Sequence, residues 1–300
     1  MANLKEIRTR IASVSSTRQI TSAMKMVAAA KLKKAQDTVT NIRPYTLKMQ
    51  EIMLNITSSL GNDNDNIYAN VRDYKQVLIV IITSNRGLCG AFNSNVLKEA
   101  VQLAAKKYES YLTPVNVRYL AIGKKGYDVL RKRKLALDEP NTKIVDDPTF
   151  ENVSNLAKSL MTDFANGRYD CIDIVYNEFV NAASQKVISK QFLPFMTENN
   201  RAGKEEKSKE KSSRINYIFE PSKEIILQEL IPQELRLTLY EAMLESIASE
   251  YGARMTSMHQ ATDNATSLIQ ELTLQYNKAR QAAITNEILE IVGGAEALKG

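Results

Sequence analysis

From Pro232 to Val292 the chain holds an unbroken helical pattern with no further proline and a single glycine, Gly252. As one helix this stretch is a rod of roughly 90 Å, at about 1.5 Å of rise per residue. Globular helices average about 11–12 residues, so a rod of this size needs a partner along its length. Its apolar side keeps a heptad frame through Tyr240, Leu244, Ile247, Tyr251, Met258, Ala261, Ala265, Leu268, Leu272 and Ala279, with Arg254 and Gln275 as polar interruptions at frame positions.

The matching element is at the other end of the chain. Asn3 followed by Glu6 is an asparagine capping box that sets a helix start at Leu4. Leu4, Ile7, Ile11 and Val14 open a heptad seam that passes through Arg18, Thr21 and Lys25. Ala28, Leu32, Ala35, Val39 and Ile42 restore its apolar character. Apolar residues continue to Ile56, before the polar break Gly61–Asn66. Pro44 inside this pattern predicts a kink or the loss of one hydrogen bond rather than a clean end. Two long seams of small and apolar residues fit each other as an antiparallel coiled coil. Two separate bundle helices fit less well, because a compact domain is too small to bury either rod end to end.

Between the rods the period changes. Val77–Ile82 is a continuous β-branched run, the pattern of a strand buried on both faces. Further strands are read at Val115–Ile122, Cys171–Tyr176, Lys186–Phe192 and Ile215–Phe219, the last two at an antiparallel edge. Helices are read at Ser94–Lys107, Lys125–Lys134 and Asn152–Asn166. Strands alternating with helices predict right-handed βαβ units. The fold class is therefore α/β: a long antiparallel coiled coil of the N- and C-terminal helices plus a Rossmann-like domain of about five strands. The expected boundaries are residues 1–60, 76–220 and 221–300. The mixed-charge run within Glu198–Arg214 reads as a solvated loop.

Several function classes are poorly supplied. The single histidine, His259, excludes a catalytic triad or a multi-histidine metal site. Asp146 and Asp147 read as solvated turn residues. Cys89 and Cys171 are too few for a disulfide framework and read as buried reduced thiols. No apolar run reaches the ~18–20 residues that cross a bilayer, and the N-terminus lacks a signal-peptide core, so membrane association is expected through protein partners. The loop Ser84–Asn93 follows a buried strand and opens a helix, where Rossmann-type folds hold phosphate. It has two glycines, Gly87 and Gly90, rather than GxGxxG, and reads as a tight strand-to-helix turn more readily than as a nucleotide site. Residues 1–42 carry eight Lys/Arg against Glu6 and Asp37, a solvated face or a surface for acidic protein loops. A basic coiled-coil arm could also grip nucleic acid, but it lacks the interleaved aromatics of such binders. The end from Ile284 to Leu298, rich in apolar and small residues, makes sense inside a surrounding partner.

Three blocks resemble the gamma subunit of F-type ATP synthases, and the likeness spans essentially the whole chain. They are Ile284-Thr285, Glu287, Glu290, Gly294-Ala295 and Ala297 at the tip; Ile7-Arg8, Ile11, Ser13-Val14, Thr17, Ile20-Thr21 and Ala23–Ala29 at the start; and the Arg86–Gly90 loop. The resemblance implies a central-stalk rotor of a bacterial-type, proton-transporting enzyme. Its partners would be the alpha and beta subunits, the epsilon subunit and the membrane c ring, with no nucleic acid, no cofactor and no catalytic residue on this chain. Carried over by position, Arg280, Gln281 and Thr285 correspond to a catch on a beta-subunit loop. Met24 and Lys25 face an acidic beta lever, and Arg254 is coupled to Met24. Ile288, Ile291, Val292, Gly294 and Ala295 form the bearing tip. The resemblance places the chain peripherally, at the cytoplasmic face of the bacterial plasma membrane.

Overall fold

The computed structural model describes residues 4–60, 67–108, 115–182, 184–195 and 223–297. Two helices dominate it: α1 (Leu4–Leu60) and α6 (Lys223–Ala297). Between them come β1 (Gln76–Ile82), α2 (Phe92–Tyr108), β2 (Asn116–Ile122), α3 (Lys124–Lys132), α4 (Lys143–Asp146), α5 (Phe150–Ala165), β3 (Cys171–Phe179) and β4 (Gln185–Leu193). The chain forms two compact units, one from residues up to Ala29 with those from Arg254 onward, the other from Ala30 to Ala253.

In the first unit the two helices run antiparallel, pinned by a hydrogen bond from Thr262 Oγ1 to Thr21 Oγ1 at 2.9 Å. The α1 seam follows the expected frame: Ile7 and Ala28 are buried, and Ile11, Val14, Arg18, Thr21 and Lys25 are half-buried. On α6, Met258, Ala265 and Leu272 are buried. Beyond them the seam departs from expectation. Gln275 is exposed and donates to Glu271 Oε1 at 3.1 Å, while Tyr276, Ala279 and Ala283 are half-buried. Tyr276 thus takes the inward place of Gln275 while Ala279 keeps the expected frame, because 3.6 residues per turn does not keep a strict seven-residue repeat on one line.

The second unit contains the sheet, in the order β2-β1-β3-β4. β1 is parallel to β2 and β3, with Val77 level with Val117 and Cys171, and β4 is the antiparallel edge. The fifth expected strand, Ile215–Phe219, and the charged loop Glu198–Arg214 lie outside the described residues. β1 is buried from Val77 to Ile82, as its continuous apolar run requires. The outer edge of β2 is covered by the chain after α3, with Tyr119 N donating to Ala136 O and Asp138 N to Tyr119 O, both at 2.9 Å. Asp147, expected in a turn, follows the short helix α4 and accepts from Asn152 Nδ2.

Two prolines are accommodated differently from a simple helix stop. Pro44 is exposed within α1, which continues through it and lacks one N–H donor there. Pro232 lies inside α6, whose start at Lys223 is close to the expected boundary at residue 221. Burial of Leu227, Ile231 and Leu235 around it outweighs the single missing donor. α6 also runs past Val292 through Gly293 and Gly294.

Candidate functional site

Two places were singled out by sequence: the mouth of the sheet and the free end of α6. In a doubly wound fold, ligands bind beyond the carboxyl ends of the strands where the strand order reverses. Here that point lies between β1 and β3. It is filled by the protein itself. Ser249 Oγ of α6 donates to Asn177 O of β3 at 3.1 Å, and Ala253 packs with Cys89 and Phe92 of the β1–α2 loop. Gly252 lies against Ala182, where an added Cβ would meet the carbonyl oxygen at 3.2 Å and Cα at 3.3 Å. The one glycine in the rod therefore marks a close approach of α6 to the sheet domain.

The loop is closed on its own side chains as well. Asn93 Oδ1 accepts from Ser84 N at 3.0 Å, and Asn93 Nδ2 donates to Ser84 Oγ at 2.8 Å and to Cys89 Sγ at 3.3 Å. The first amides of α3 are also taken: Lys124 N by Asn85 Oδ1, Lys125 N by Ser84 O and Gly126 N by Thr83 Oγ1. Gly123, at φ 110°, allows this approach, since a Cβ there would lie 2.2 Å from Thr83 O. The tight-turn reading of residues 84–93 is the one the geometry supports. Cys89 and Cys171 are buried thiols. His259 is exposed and lies 3.4 Å from Asp263.

The free end of α6 has the opposite character. With Thr21 level with Thr262, the start of α1 is reached opposite the stretch around Ala279. Every residue from Ile284 to Glu296 is exposed. Ile284, Ile288, Leu289, Ile291 and Val292 are each between 47% and 71% exposed, an apolar surface on a helix that has outrun its partner. Arg280 and Gln281 are exposed just before it, and Thr285 Oγ1 donates to Gln281 O at 2.9 Å. That bond uses the threonine proton and leaves its oxygen as an acceptor.

A family model described as ATP synthase matches residues 3–298. The ATP synthase gamma chain of Flavobacterium johnsoniae is 55% identical over 300 residues, covering 100% of both chains. That of Christiangramia forsetii is 50% identical over the same span. This chain belongs to the ATP synthase gamma-chain family. Its fold is similar to the central stalk solved with the c-ring of Tetrahymena thermophila mitochondrial ATP synthase, at a TM-score of 0.57 and 28% identity over 81% of this chain and 99% of that one. A chain of the Euglena gracilis mitochondrial ATP synthase shares the fold at a TM-score of 0.64 and 24% identity, over 98% of this chain and 94% of that chain.

The remaining gamma-chain positions named from sequence fall in the same unit as the tip. Lys25 and Met24 are half-buried on α1, and Arg254 is buried, at 8% exposure, on the α6 seam. The register set by Thr21 and Thr262 puts Arg254 roughly one turn beyond Met24 along α1. Gly294, Ala295 and the apolar tip residues are all exposed. Ile20, Met26 and Val27, which carry part of the family resemblance but were given no role, are 57–63% exposed on α1.

Proposed function

We propose that this chain is the central-stalk rotor subunit of a bacterial ATP synthase. In this reading it transmits torque between a membrane ring of c subunits and the catalytic head of alpha and beta subunits, coupling proton flow to ATP synthesis or hydrolysis. The observation that carries the reading is the full-length match to bacterial gamma chains. No helix of the described residues is long and apolar enough to cross a membrane, which fits a peripheral place at the cytoplasmic face, held there through the c ring and the epsilon subunit. The chain itself is non-catalytic and needs no cofactor, in keeping with the self-filled mouth of its sheet.

Three groups of residues divide the work. Arg280, Gln281 and Thr285 form a catch on a beta-subunit loop; a planar guanidinium making charge-assisted hydrogen bonds favours one orientation. Met24 and Lys25 face an acidic beta lever, and Arg254 supports Met24 from the opposing helix. Ile288, Ile291, Val292, Gly294 and Ala295 turn within the head as a bearing, where small and apolar side chains impose no fixed hydrogen-bonding register. Nothing in the geometry favours a nucleic-acid-binding arm.

The test is reconstitution with alpha and beta subunits. The chain copurifies with them, and Arg280→Ala lowers ATP turnover of the assembled complex about tenfold or more, the loss of a charge-assisted bond worth about 1.5–3 kcal/mol. Assembly with unchanged turnover would overturn the catch; failure of the wild-type chain to assemble would overturn the rotor.

A further inference from the structure

α6 carries Glu234, Thr238, Glu241 and Glu245 at spacings that align them on one stripe of the helix. Glu234 and Glu245 are buried, at 5% and 6% exposure, and Glu241 is half-buried. The stripe faces Tyr176 and Glu178 of β3, Lys190 of β4 and Arg43 of α1, all near enough for their charges to act on it. Neither Lys190 nor Arg43 forms an ion pair with these glutamates among the described residues. Glu234 Oε1 accepts from Thr238 Oγ1 at 3.4 Å, while Oε2, fully buried, has no hydrogen-bond partner among the described residues.

Buried carboxylates in such a place are disfavoured twice, by lost hydration and by mutual repulsion. A proton on the stripe relieves both. We propose that the Glu234–Glu241–Glu245 stripe of α6 is a proton-binding site, holding a proton in the folded chain near neutral pH and releasing it to solvent as the medium turns alkaline. Release leaves a carboxylate between α6 and the β3–β4 hairpin and weakens that contact. The inference does not depend on the rotor reading.

The electrostatics agree. Burial, then Glu241 and Glu178, push the Glu245 carboxyl from 4.5 up to about 7, against the lowering pull of Arg43 and Lys190. Burial likewise raises Glu234, and with it Tyr176. A carboxyl raised on folding stabilises the fold fully below its unfolded value, and that contribution is lost as pH rises through its folded value. For Glu245 the window runs from 4.5 to about 7.

The experiment is an infrared titration of the full-length chain, paired with thermal unfolding across the same pH range. The wild type is expected to show a protonated carboxyl that titrates near neutrality and is absent in Glu245→Gln. Its melting temperature falls as pH rises from about 5.5 to 8.5, and the variant's falls by less than half as much. Glu234→Gln retains an acceptor for Thr238 and reduces the titrating amplitude, which provides the comparison should Glu245→Gln not fold. A wild type in which no carboxyl titrates above about pH 6, or variants with wild-type pH profiles, would overturn the proposal.

Discussion

At Gly252 two tendencies oppose each other. In an exposed helix, replacing glycine favours the fold by about 1 kcal/mol, but here the helix meets the backbone of Ala182 within 3.2–3.3 Å of any added Cβ. Gly252→Leu is therefore expected to destabilise the chain by about 1–3 kcal/mol, as overpacked sites do, measured by urea unfolding. The glycine was plain in the sequence, but its partner, some seventy residues away, was not. The same holds for Asp173 on β3. It is 1% exposed and accepts from Tyr108 Oη at 2.5 Å and from Lys107 Nζ at 3.0 Å. A lone acid in an apolar strand gives no hint of which cation will neutralise it, because that pairing is made by tertiary packing of α2 on the sheet. Arg280, by contrast, was named from sequence, and the structure places it on an exposed helix surface without restricting what it touches.

The long helices and the parallel strands were legible because each is dominated by one local period. The heptad frame of α1 predicted the inward side from Ile7 to Ile42, beyond which Thr46, Met49 and Met53 are buried and Leu47 is exposed, and the β-branched run predicted β1 to within a residue. What failed were rules about single residues. Pro232 did not interrupt α6, since buried neighbours on both sides carried the helix through, and Gln275, at a frame position, is exposed where Tyr276 turns inward. The tip of α6 belongs to this scale as well. Its side chains from Ile284 to Glu296 are exposed, so their removal takes little from the fold. Deleting residues 288–300 is expected to shift the melting temperature by less than about 2 °C in calorimetry of the isolated chain. The same truncation is expected to reduce turnover in the reconstituted complex, which separates stability from function.

For the whole molecule, stability is distributed unevenly. The unit around the sheet has a core of fully buried residues on β1, α2 and β3, including Ile79, Val96, Ala100 and Val175. The unit made of the first and last helical stretches has a single seam, with Ile7, Ala28, Met258, Ala265 and Leu272 as its most buried apolar side chains. Local opening free energies follow such differences. Amide hydrogen exchange is expected to be slowest in β1 and β3, faster along Leu4–Ala29, and fastest from Ile284 to Glu296. Equal protection of the α6 tip and β1 would contradict that order.

The plugged mouth of the sheet has a consequence for the chain's dependence on its surroundings. A protein that binds a ligand in its folded form gains stability as the logarithm of ligand concentration, so its folding equilibrium follows that concentration. Asn93, Asn85 and Thr83 accept from the amides of Ser84, Lys124 and Gly126, and Ser249, Gly252 and Ala253 of α6 lie against the same end of the sheet. Added ATP is therefore expected to leave the melting curve of this chain unchanged, checked by calorimetry with and without the nucleotide. A component placed beside nucleotide-consuming machinery keeps constant mechanical properties only if the fuel supply cannot tune them.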